Sequence, residues 1–191
     1  AMQERQITVD LETVELPRPF LVIATQNPVE LEGTFPLPEA QLDRFLVRLA
    51  IGYPSADEES QMLKRFQGSI SPDSISSVID GPTLMELQKT CRSVFVDESL
   101  RTYISGLCRA TRDDASVQLG ASPRAALALQ QSSQAYAAVH GRDYVLPDDV
   151  KAMAHAVLAH RLLLDTTASL RGETSVSAID RVLKTVAIPV E

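Results

Sequence analysis

Phe20-Leu21-Val22-Ile23-Ala24-Thr25-Gln26-Asn27-Pro28, continued by Gly33-Thr34-Phe35-Pro36-Leu37-Pro38-Glu39-Ala40-Gln41-Leu42-Asp43-Arg44-Phe45, decides how this chain reads. Its first five residues form an unbroken apolar run, the pattern of a parallel-type strand covered on both faces. In open α/β sheets ligands gather beyond the carboxyl ends of the strands. Asn27 stands there, just before a proline, where a carboxamide can orient a water or touch a terminal phosphate without adding charge. The plainer alternative is a loop asparagine bonding local backbone. Arg44 follows two prolines that stiffen its approach. An arginine on such an edge can reach a phosphate in a neighbouring subunit and stabilise the charge that spreads during phosphoryl transfer. Its plainer alternative is an ion pair with Asp43 inside the chain.

On the N-terminal side, Gln6–Val9 and Thr13–Leu16 are short β-prone segments around Asp10-Leu11-Glu12 and predict a hairpin. On the C-terminal side, Leu46–Ile51 is a second candidate strand. Gly52-Tyr53-Pro54 then reads as a hinge, since the residue before a proline disfavours helix and glycine permits a sharp turn. Residues 1–54 are thus expected to be an α/β core fragment, a hairpin plus parallel-type strands. Residues 55–191 are expected to be an all-α bundle, so that the chain is mainly helical overall.

Helical periodicity dominates after Pro54. Leu84, Leu87, Cys91 and Val94 share a stripe, and Thr83-x-x-Glu86 predicts a capping box. Leu100, Tyr103, Ile104, Leu107 and Cys108 mark the next helix, with Asp97 as its N-cap. Ser122-Pro123 opens an Ala-rich helix running to about His140. Val150, Met153, Ala154, Val157 and Leu158 follow Asp148, and Ser175 starts a last helix through Ile179, Leu183 and Val186. Arg124 falls in the first turn of the Ser122-Pro123 helix. A cation there opposes the helix dipole by roughly 0.3–1 kcal/mol, whereas helix N-termini attract anions. An anion close to Arg124 would explain the placement; solvent screening is the plainer reading.

Several function classes are disfavoured. The formal charge is −7 and neither side of Pro54 is basic, which argues against nucleic-acid binding. Cys91 and Cys108 have neither metal nor redox spacing and are expected to be free thiols of a reducing, cytoplasmic compartment. No membrane span or signal peptide is expected. His140, His155 and His160 lack metal-ligand spacing, and no G-x-S-x-G elbow occurs. A phosphate-cradling G-x-x-x-x-G-K-[ST] loop is absent, because Gly-Lys never occurs in these 191 residues. Val94-Phe95-Val96-Asp97-Glu98 mimics a magnesium-holding strand end, but Asp97 is better read as a helix cap.

Taken together, the run Gly33 to Phe45, the Pro19–Pro28 segment, Gly52-Tyr53-Pro54, Gly120-Ala121-Ser122-Pro123-Arg124-Ala125, Pro147-Asp148-Asp149-Val150 and His160-Arg161-Leu162-Leu163-Leu164 resemble the MoxR-type AAA+ ATPases over nearly the whole chain. The resemblance implies that Asn27 is sensor 1, Arg44 the arginine finger acting on a neighbour's nucleotide, and Arg124 sensor 2 on a helical lid. It implies ATP and Mg²⁺ as ligands of the complete module and a ring, expected to be a hexamer. It also implies ATP-driven remodelling or cofactor insertion with von Willebrand A-type partner proteins. The Walker A loop and Walker B strand of the family would lie before Met2. The chain alone is therefore expected to be catalytically incompetent and to bind neither ATP nor Mg²⁺. A non-enzymatic module that associates with a complete AAA+ partner is the alternative. The Phe20–Ala24 strand is expected to pair with another chain or be covered by a rearranged hairpin.

Overall fold

The structure, a computed structural model, describes residues 6–9, 12–26, 37–67 and 75–189. Asn27 and the stretch from Gly33 to Pro36 lie outside the described residues. A two-stranded antiparallel hairpin comes first, β1 (Gln6–Val9) and β2 (Glu12–Glu15), with Val9 opposite Glu12 and Gln6 opposite Glu15. The expected hairpin is present, with its second strand starting one residue earlier. Thr8 and Thr13 face each other across it, their hydroxyls 3.2 Å apart.

Neither expected parallel-type strand is found. Residues 20–24 and 46–51 carry no strand, and the hairpin pairs only with itself among the described residues. A strand exists only where another backbone offers it a ladder, and none of the described strands lies beside these segments. Residues 20–23 still show a two-residue alternation, with Leu21 and Ile23 at 78% and 80% exposure and Phe20 and Val22 at about half that. Among the described residues the hairpin does not cover this run, as the rearrangement expected from sequence would require.

The helical part matches its sequence pattern more closely. After the single turn α1 (Glu39–Leu42), helices α2 (Ala56–Gln67), α3 (Gly81–Ser93) and α4 (Glu98–Asp113) follow in order. Ser55 and Glu58 cap α2 reciprocally, the Glu58 carboxylate accepting from the Ser55 amide at 2.8 Å. Capping of α3 differs from the expectation. Asp80 is the N-cap, accepting from the Thr83 amide at 2.8 Å, and Pro82 sits in the first turn. A carboxylate placed two residues before a first-turn proline takes the role assigned to Thr83. Asp97 caps α4 through the Ser99 amide, which removes it as a metal-binding strand end.

Strand β3 (Val117–Leu119) leads to α5 (Pro123–Val139), α6 (Pro147–Leu158), a 3₁₀ turn (Ala159–Arg161), β4 (Leu163–Leu164), α7 (Thr166–Leu170) and α8 (Ser175–Thr185). The β3–β4 pair is antiparallel, so the bundle is not all-α as expected. Its two strands are too short to show a two-residue period. Every buried residue among those described lies at Val94 or later. Leu100, Tyr103, Ile104, Leu107 and Cys108 of α4 pack with Ala125, Ala128 and Leu129 of α5, Val150, Ala154 and Val157 of α6, and Ile179 and Val182 of α8. Burial pushes the Cys108 thiol up to about 11, so it serves as a small hydrophobe. No helix of the described residues is long and apolar enough to cross a membrane.

Candidate functional site

Pro38 fixes its own φ and starts a succession of tight turns. Its carbonyl accepts from Gln41 and Leu42, Glu39 accepts from Asp43, Gln41 from Arg44, and Leu42 from Phe45. The chain leaves these turns along the helical bundle. The Arg48 amide donates to the Ala156 carbonyl at 2.8 Å, and Val47 packs on the core.

Asp43 is the centre of the junction. Its Oδ1 accepts from Arg161 Nε at 3.0 Å and its Oδ2 from Arg124 Nη1 at 3.2 Å. Ser122 Oγ, the N-cap of α5, stands 3.2 Å from both oxygens. The Asp43–Arg44 ion pair considered from sequence is not formed. Asp43 turns to the bundle, and the Arg44 side chain is exposed, with no hydrogen bond or ion pair to the described residues. The anion wanted beside Arg124 at the start of α5 is this carboxylate.

The two arginines hold Asp43 on unequal terms. The Arg161 side chain is 2% exposed and that of Arg124 45%. Breaking a buried pair strands a charge in low dielectric and costs about 3–5 kcal/mol. An exposed pair contributes about 0–1 kcal/mol. Arg161 therefore anchors the junction, while Arg124 can leave it cheaply. Arg161 also donates to the carbonyls of Asp43, Phe45, Leu46 and Val157, so that all five of its N–H groups are engaged. His160 Nε2 lies 3.1 Å from the Phe45 carbonyl. Burial lowers the His160 pKa, against the opposing pull of the Phe45 carbonyl.

Of the three residues singled out from sequence, Arg124 is thus bonded to Asp43 and Arg44 is the next residue in the chain, exposed. Sequence reasoning missed Arg161 and His160. The available signal was a cationic pair set between Val157-Leu158-Ala159 and Leu162-Leu163-Leu164, since charges amid apolar residues are rarely buried without a partner. The His155 imidazole lies 3.1 Å from Asp180, and no metal-holding cluster occurs among the described residues.

Comparison with known proteins shows the family. Residues 1–47 match the ATPase family associated with various cellular activities (AAA), and residues 109–182 match the AAA lid domain. Bacillus subtilis YeaC, itself uncharacterised, is 44% identical over all of this chain and 60% of its own length. The chaperone MoxR1 of Mycobacterium tuberculosis is 41% identical over 98% of this chain and 52% of its own length. A crystallised Cytophaga hutchinsonii protein assigned to the ATPases superimposes with a TM-score of 0.92 at 36% identity, over 99% of this chain and 60% of that one. The chain thus spans between half and two thirds of the length of these relatives. It belongs to the MoxR-type AAA ATPases and carries their lid domain.

Proposed function

We propose that the chain supplies the phosphate-sensing and neighbour-reaching part of an ATP site in a chaperone-like, ring-forming AAA ATPase. The observation that carries this reading is the corner at Asp43. An exposed Arg44 lies in a braced turn, and a loosely held Arg124 in the first turn of a lid helix bonds the carboxylate of the residue just before Arg44. In this reading Arg44 stabilises charge on a neighbouring subunit's nucleotide. Arg124 exchanges Asp43 for the phosphates of its own subunit's ATP, and Asn27 orients the attacking water. ATP and Mg²⁺ are the ligands of the complete module. Its assembly is a hexameric ring, and its partners are von Willebrand A-type proteins.

Asp43, already shared by two guanidinium groups, leaves the corner cationic and suited to polyphosphate. The purified 191-residue chain is expected to show no ATP turnover, as read by phosphate release. Turnover at ordinary AAA+ rates that Arg124→Ala abolishes would contradict the incompetence of the isolated chain. The alternative, a non-enzymatic module joining a complete AAA+ partner, draws support from the exposed apolar side chains of Leu21, Ile23, Leu49 and Ile51. Inhibition of a complete homologue on subunit mixing distinguishes it.

A further inference from the structure

We propose that Arg161 is the positioning residue for Arg44, so that a lid side chain sets where the finger points. The inference rests on the reading of Arg44 as a residue acting on the neighbouring subunit. Arg161 Nη2 donates to the carbonyl of Asp43, at 3.2 Å, and to the carbonyl of Phe45. These are the residues immediately before and after Arg44. One nitrogen therefore holds the peptide unit that enters Arg44 and the unit that leaves Phe45, so that the finger residue lies between two pinned points of the backbone. Nη1 extends the grip to the Leu46 carbonyl at 3.2 Å and anchors it on the Val157 carbonyl at the end of α6. Nε holds the Asp43 side chain. His160, the preceding residue in the lid, shares the Phe45 carbonyl.

This concentration exceeds what docking the two segments requires. Val47 packing and the Arg48–Ala156 backbone bond already fix the chain just beyond the turn. Arg161 instead holds the backbone just before and just after Arg44, which limits the directions open to the Arg44 Cα–Cβ vector. A lysine keeps the positive charge beside Asp43, but it carries three donors on one point and cannot span four carbonyls. Misplacing a transition-state group by about 1 Å costs on the order of 10²-fold in rate.

The test is complementation in mixed assemblies of the full-length ATPase. Subunits with Arg161→Lys are expected to bind ATP normally and to lose on the order of 10²-fold in kcat with little change in KM. Mixed with Arg124→Ala subunits, which are inactive at their own site but carry an intact finger, they are expected to regain turnover. The recovered site pairs the sound phosphate side of one variant with the sound finger of the other. A merely structural role for Arg161 would damage its own subunit and give no recovery.

The control pair is Arg44→Ala with Arg124→Ala. If the control recovers and the Arg161→Lys pair does not, the positioning role is overturned and the function stands. If the control also fails, the trans-acting reading of Arg44 falls, and this inference with it. Should Arg161→Lys fail to fold, His160→Gln carries the test through its single bond to Phe45. A smaller loss that the same mixing restores is expected, and a wild-type kcat overturns the proposal.

Discussion

At Asp43 two guanidinium groups share one carboxylate, and burial decides which of them holds the fold. Removing Arg161 takes from Asp43 its buried partner and from four carbonyls an arginine donor inside the junction. Arg161→Gln is expected to lower unfolding stability by about 3–5 kcal/mol, and Arg124→Gln by less than about 1 kcal/mol, both read by urea denaturation. His160 adds a pH dependence. Its pKa is depressed in the folded state below the ordinary 6.5, chiefly by burial. The unfolded chain therefore takes up the proton first, and stability is full above about pH 6.5 and lost as pH falls from there through the folded value. Urea midpoints measured between pH 5 and 8 are expected to fall toward acid in the wild type and to flatten over that range in His160→Gln.

Among the elements, α5 shows how closely the bundle is fitted. Gly120 leads into it beneath the end of α4, where an added Cβ would lie 2.7 Å from the Cα and amide nitrogen of Arg112. Backbone cannot yield as a side-chain tip can, so Gly120→Ala is expected to destabilise by about 1–3 kcal/mol, read as a lowered melting temperature. Thr111 ties the same crossing, its hydroxyl accepting from the Ala121 amide at 2.9 Å and donating to the Cys108 carbonyl. The helices were legible because their signals are local: Ser122-Pro123 starts α5, Asp97 starts α4, and the apolar stripe Leu100 to Cys108 is the face that is buried. Phe20–Ala24 was misread as a strand because an apolar run reports that a segment can be covered on both faces, while a strand also needs a neighbouring backbone. The β3–β4 pair was missed for the converse reason, since its ladder joins segments more than forty residues apart in the chain.

Over the whole molecule, burial and function divide along different lines. Among the described residues the buried core runs from Val94 onward, while Arg44 lies in a turn far earlier in sequence that Arg161 holds to that core. Resemblance in the sequence pointed to Arg44 and Arg124, but not to the bond between Arg124 and Asp43, because an ion pair across some eighty residues leaves no periodic trace. Under the proposed reading the lid has two roles at the ATP site, reading phosphates through Arg124 and steering the finger through Arg161. The most direct test of the central claim is steady-state ATP turnover by full-length Arg44→Ala. A fall in kcat on the order of 10³-fold or more, with KM little changed, is the predicted result. A kcat equal to that of the wild type would contradict the account.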